Sequence, residues 1–180
     1  MADALVVYES MFGNTQQVAQ AVAEGMAGFL SVEVVEVGAA PAGLPGETAL
    51  LVVGAPTHAF GMSRPNTRQD AARQGAPDAL VSPTIGVREW LAELEPAAQS
   101  RTAAAAFDTR IRVPLPGSAA RAIRRRLRNL GFTLAGPART FSVKGTRGPL
   151  ADGELDAARV WGRALASSFV DLGQPSQGRP

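Results

Sequence analysis

Apolar and polar residues follow one another along this chain in two periods, and the changes of period mark its elements. Leu5, Val6, Val7 and Tyr8 form a short apolar run that stops at a polar loop, as a buried strand does. From Asn14 a helical spacing takes over, with Val18, Val22, Met26 and Phe29 on one face. Residues 32–37 alternate Val and Glu, which suits an edge strand with one wet face. Residues 39–47 carry Gly and Pro breakers, and 49–53 is a continuous apolar run closing on Gly54, as expected of a central strand. Ser82-Pro83 predicts a helix start, with Ser82 as cap and with Val87, Trp90, Leu91 and Leu94 as the buried stripe.

Residues 102–107 contain four successive alanines, which propensity alone reads as helix. Helical patterns flank them on both sides, and a parallel sheet needs another strand there. Small side chains at that place would let covering helices sit close. Residues 118–130 predict a helix with Ala119, Ile123, Leu127 and Leu130 inward and Gly131 as its C-terminal cap. Residues 134–143 read as one or two strand pieces around Gly136-Pro137. Residues 155–172 give a last amphipathic helix, with Trp161, Leu165 and Phe169 inward. Strand and helix thus alternate, which means α/β, a parallel sheet with helices on both faces. One domain is expected over 1–172, followed by a disordered tail over 173–180.

The loop Ser10-Met11-Phe12-Gly13-Asn14-Thr15 lies between the first strand and the first helix. It aims free N–H groups of a helix N-terminus and the hydroxyls of Ser10 and Thr15 at one point, which attracts an anion such as a phosphate ester. A Walker A loop would need a Lys, and a dinucleotide fingerprint would need three glycines where only Gly13 stands. A plain strand-turn-helix corner capped by Asn14 or Thr15 is the alternative. In this stretch the chain resembles flavodoxins. Val6-Val7, Tyr8, Ser10, Gly13, Thr15 and Ala19 fill every place of their signature in register, and Val22 extends it.

The resemblance implies a doubly wound five-stranded sheet of order 2-1-3-4-5, with FMN held by its phosphate on this loop. Two more loops then meet the first beyond the strand ends. One is Gly54 to Gly61, whose Pro56-Thr57 matches a second family motif. Here Pro56, Thr57, His58, Ala59, Phe60 and Gly61 are candidate flavin contacts. His58 is either a flavin contact or a loop residue satisfied by backbone, and Phe60 either covers the ring or plugs the loop. The other loop is Phe107-Asp108-Thr109-Arg110. Familiar flavodoxins place a Tyr there to stack on the flavin, and this chain has none. Asp108, Thr109 and Arg110 would hydrogen-bond the ring edge instead, leaving one face more open.

Composition narrows the chemistry further. With no Cys and one His, the chain cannot build a disulfide framework, a Cys nucleophile or a multi-histidine metal site. No apolar run is long enough for a membrane span. No signal peptide is legible at the N-terminus, so the cytoplasm is expected. The net charge is +2, and of the 18 basic residues 17 are Arg and one is Lys144. Ten basic residues and no acidic one lie between Thr109 and Ala151, five of them (Arg121, Arg124, Arg125, Arg126, Arg128) on one helix. That helix is either a solvated face or a docking surface for an acidic redox partner, a nucleotide phosphate such as that of NADPH, or an anionic surface. No aromatic residues are interleaved with these arginines, which argues against nucleic acid. Two functions from different classes follow: an FMN electron shuttle between redox partner proteins, or an FMN-dependent NAD(P)H:quinone or small-molecule oxidoreductase. A flavin-free binding module is a third, opposed by the intact first loop. A monomer or weak dimer is expected.

Overall fold

The computed structural model describes residues 3–46, 48–58, 61–74, 80–95, 102–112 and 116–173. Its elements run β1 (Asp3–Tyr8), α1 (Asn14–Met26), β2 (Ser31–Glu36), β3 (Thr48–Pro56), α2 (Pro65–Gln74), α3 (Val87–Glu93), β4 (Ala103–Ile111), α4 (Ala119–Asn129), β5 (Thr133–Leu134), β6 (Arg139–Val143) and α5 (Glu154–Gly173). The strands pair in parallel in the order β2-β1-β3-β4-β5, and β6 also pairs with β4. The fifth place in the sheet is therefore filled by two short pieces in tandem. β5 meets Ala103 and Ala104, and β6 meets residues 107–111.

Each central strand sends successive side chains to opposite faces, and both faces are covered. Ala4, Val6, Leu50, Val52, Ala105 and Phe107 join α1 and α5 in one cluster. Leu5, Val7, Leu51, Val53, Ala104 and Ala106 join α3 and α4 in the other. The four alanines of β4 are all buried, so the strand reading prevails over helix propensity. Helix α1 meets α5 through two glycines. A Cβ on Gly25 would collide with the backbone of Arg159, and one on Gly162 with the backbone of Val22. Each glycine thus admits the other helix's main chain.

Several boundaries differ from the sequence reading. α1 ends at Met26, and Phe29 packs beyond it. α2 was not legible because its polar sequence carries no apolar stripe. α3 starts at Val87, not at Ser82-Pro83. The Gly86 N–H is held by Glu89 at 2.9 Å, and Ser82 is engaged elsewhere. The largest change concerns residues 107–110, expected as a loop. They are strand, because β6 supplies a second partner for β4 as far as Ile111. Of the tail expected over 173–180, Gly173 closes α5 and residues 174–180 lie outside the described residues.

Candidate functional site

β1, β3 and β4 end side by side, and the segments that follow them meet at their C-terminal ends. The first segment is held from both sides. The Ser10 N–H donates to Ser82 Oγ at 3.0 Å, and the Ser82 N–H donates back to Ser10 O at 2.8 Å. Gly13 has a φ of 86°, a left-handed conformation that glycine adopts without steric cost. Its N–H donates to Ser10 Oγ at 3.1 Å. Helix α1 begins at the next residue, and among the described residues no side chain caps its first turn. Asn14 instead donates from Nδ2 to Arg147 O at 3.0 Å, and Thr15 Oγ1 lies 2.8 Å from Thr109 Oγ1. Neither residue is the cap that the alternative reading required. The first-turn N–H donors therefore face outward with the positive end of the helix dipole.

Above this cradle lies a cavity of ≈ 100 Å³. Ser10, Met11, Phe12, Asn14 and Thr15 reach it from the first loop, Pro56, Thr57 and His58 from β3 and the turn after it, and Thr109 and Arg110 from β4. The turn after β3 is closed by reciprocal bonds of 2.8 Å between the backbones of His58 and Gly61. Gly61 lines a neighbouring cavity rather than this one. Ala59 and Phe60 lie outside the described residues.

Two predicted site residues belong elsewhere. Phe107 is fully buried, in edge-to-face contact with Phe141 and Trp161, and a Cβ on Gly54 would strike its ring. It is core. Asp108 is fully buried as well. Its Oδ2 accepts from Thr57 Oγ1 at 2.8 Å, Ser118 Oγ at 2.6 Å and the Ala120 N–H at 3.2 Å. It therefore ties the turn after β3 to the N-terminus of α4, where the dipole favours a carboxylate. Strand alternation sends Asp108 to the α4 face, whereas Phe107 and Thr109 share the α1 face, where Phe107 lies deeper in the core and Thr109 reaches the cavity at the strand's end.

Ile111, Val143 and Thr146 also line the cavity and were missed. A signal existed for Thr146. Gly145-Thr146-Arg147-Gly148 follows a strand parallel to β4, so its loop falls at the same edge. Arg147 extends over the Phe12 ring, 5.6 Å from its centroid.

Beneath the site lies a second polar group. The buried Glu9 accepts from the Val87 N–H at 2.8 Å, at the start of α3. The buried Arg68 donates to Ser63 Oγ at 3.0 Å and to Glu89 at 3.1 Å. Burial raises the Glu9 carboxyl above its ordinary range, against the opposing pull of Ser63, the Val87 N–H and Arg68. Burial, aided by the Arg68 charge, lowers the His58 imidazole, so the neutral form is favoured. His58 Nε2 is buried and has no partner among the described residues. Among the described residues no group of three or more His, Asp or Glu is placed to hold a metal, and no helix is long and apolar enough to cross a membrane.

Comparison with known proteins bears on this geometry. A comparison with curated proteins gives no match. Among solved structures, the chain is similar to a flavodoxin from the domain Archaea at 20% identity and a TM-score of 0.62, covering 93% of this chain and 99% of that one. It is similar to oxidised Flavodoxin 2 from Bacillus cereus at 18% identity and a TM-score of 0.66, covering 93% and 100%. It also resembles the rubredoxin oxygen:oxidoreductase of Desulfovibrio gigas at 15% identity and a TM-score of 0.66, covering 97% of this chain but 38% of that one. At such identities the likeness establishes the fold. The family model described as Flavodoxin matches residues 6–108, from the first strand through Asp108 of β4 and over more than half of the chain. With the cradle after β1 and the sheet order agreeing, the chain belongs to the flavodoxin family.

Proposed function

We propose that the protein binds FMN at this cavity and passes electrons between redox partner proteins. Flavodoxins commonly bind FMN and transfer electrons. The observation that carries the reading for this chain is the uncapped first turn of α1, set in one cavity with the Thr15 and Thr109 hydroxyls. When bound, FMN supplies the ability to take up and release electrons. The residues supply its placement. Backbone N–H groups of the first turn and the hydroxyls of Ser10 and Thr15 hold the phosphate with neutral donors, and Pro56, Thr57 and His58 border the ring. At ≈ 100 Å³ the cavity falls below the roughly 300–1,000 Å³ of clefts that enclose drug-sized ligands. It therefore suits the phosphate end, while the ring rests across the rim. Titration of flavin-free protein with FMN, FAD and riboflavin tests this. FMN is expected to bind at least about tenfold more tightly than riboflavin, which lacks the phosphate and so loses hydrogen bonds to a charged group. Preference for FAD, or no uptake of FMN, would sink it.

A second reading, an FMN-dependent oxidoreductase acting on NAD(P)H and a quinone or other small molecule, is favoured by one specific observation. The single tyrosine, Tyr8, is buried in β1 with its hydroxyl accepting from Gln16 Nε2 at 3.1 Å. It is thus not placed to cover the ring. Turnover of NADPH with a quinone, compared with cytochrome reduction through a flavoprotein reductase, separates the two. The shuttle predicts the second activity and little of the first.

A further inference from the structure

His58 lines a second cavity, of ≈ 450 Å³, on its other side. The walls of this cavity carry Arg64 from just before α2, Arg88 from α3 and Arg125 from α4. It continues into a further ≈ 270 Å³ between α3 and α4, which shares Arg88 and Arg125 and adds Arg126. Among the described residues, no acidic one lines either space. Among the described residues, no carboxylate pairs with any of these four guanidinium groups. The neighbouring carboxylate, Glu89, is committed to Arg68.

Arg88 is held in place without being neutralised. Its Nε donates to Ser63 O at 3.0 Å and its Nη2 to Met62 O at 2.9 Å. A guanidinium has five N–H donors, so three remain for a ligand. Like charges gathered around a concave space repel one another and focus a positive potential in it. An anion placed there relieves the repulsion and meets donors already oriented, which is the arrangement that favours bidentate recognition of phosphate or carboxylate. The space is concave and of ligand size, whereas an acidic protein surface would engage a broader, flatter patch.

We propose that this arginine-lined groove binds a small molecule carrying two or more phosphate or carboxylate groups, and that the molecule meets the redox site across His58. The role as a reaction partner rests on the flavin reading above, whereas the anion site does not. His58 is the shared wall, and its low proton affinity keeps the wall uncharged near neutral pH. The ligand's anionic groups are then bound by the arginines alone.

Calorimetric titration of the protein, with and without FMN, tests the site, using inorganic pyrophosphate and citrate as separate probes. One saturable site is expected in both forms. Tighter binding of pyrophosphate assigns a phosphate ligand, and tighter binding of citrate a carboxylate one. Arg88→Gln and the more exposed Arg125→Gln should each weaken binding about tenfold or more. Arg121→Gln, on the same helix but outside the groove, should leave it unchanged. Absence of binding, an equal loss with Arg121→Gln, or displacement of the probe by FMN would overturn the proposal. The last result would place the anion on the α1 cradle. Failure of FMN itself to bind would strike the flavin reading, and the probe titrations of the flavin-free protein would still decide the groove.

Discussion

Thr15 shows how much one side chain contributes at this site. Its hydroxyl sits 2.8 Å from that of Thr109, so two neutral groups from different elements converge where an anion is expected. Thr15→Val keeps the shape and removes the hydroxyl. Loss of a hydrogen bond to a charged group costs roughly 1.5–3 kcal/mol, so FMN affinity should fall by about one to two orders of magnitude. Fluorescence titration measures this, and unchanged affinity would reduce Thr15 to a role in packing. His58 permits an equally direct measurement because the chain has no other histidine. Its proton affinity is lowered by burial, so the unfolded chain binds a proton here more readily than the folded one. Its contribution to stability is therefore complete above the ordinary value of 6.5 and is lost progressively as pH falls from there through the lower value of the folded state. The single imidazole resonance should titrate below 6.5, and His58→Gln should flatten the fall of stability on the acid side. A midpoint above 6.5 would contradict the buried, neutral ring.

At the level of elements, the contact of α1 with α5 sets the clearest constraint. Gly25 and Gly162 each face the other helix's backbone at a distance that leaves no room for a methyl group. Gly162→Ala should destabilise the fold by about 1–3 kcal/mol, the usual cost of overpacking, although alanine is the better helix former. Denaturant unfolding reads the change, and a stabilised variant would mean that the helices can separate cheaply. None of the residues in this contact lines the cavity, so FMN affinity of the folded variant should be unaffected. α4 is anchored differently. Ser118 caps it by accepting from the Arg121 N–H at 3.2 Å, while Asp108 binds the same hydroxyl and the Ala120 N–H. The turn carrying Thr57 and His58 is therefore tied to the end of a helix as well as closed by its own backbone.

For the whole molecule, charge is the distinguishing quantity. The chain carries +2 overall, and its basic residues crowd the segment from Thr109 onward. Arg110 lines the cavity and donates to Gly117 O at 2.7 Å. Fully reduced flavin carries extra negative charge, which a nearby cation stabilises. At an effective dielectric of about 20 and a separation of about 8 Å, one unit charge contributes on the order of 2 kcal/mol before screening. Arg110→Glu should therefore lower the potential for the last electron, more at low salt than at high salt. Redox titration of both proteins decides it. A shift indifferent to ionic strength would locate the effect in altered packing and not in charge.

The first strand, the cradle from Ser10 to Thr15, the central strand ending at Gly54 and the inward faces of α4 and α5 were legible in the sequence. In each of them the information is local: a period, a turn residue, a hydroxyl at fixed spacing. The alternation of strands and helices likewise sufficed for a parallel α/β sheet, and the resemblance carried by the cradle supplied its order. What only the tertiary structure decided is where side chains of one segment face. Residues 107–110 became strand because β6, 32 residues on, pairs with them, and the pleat then turned Phe107 into the core and Asp108 toward α4 while leaving Thr109 beside Thr15. Ser82 became a latch for Ser10 across 72 residues of chain and not a helix cap. The arginine groove arises from α2, α3 and α4 together, and no one of them reveals it. Such contacts depend on which distant element arrives as neighbour, and that is set by burial summed over the whole sheet rather than by any short pattern.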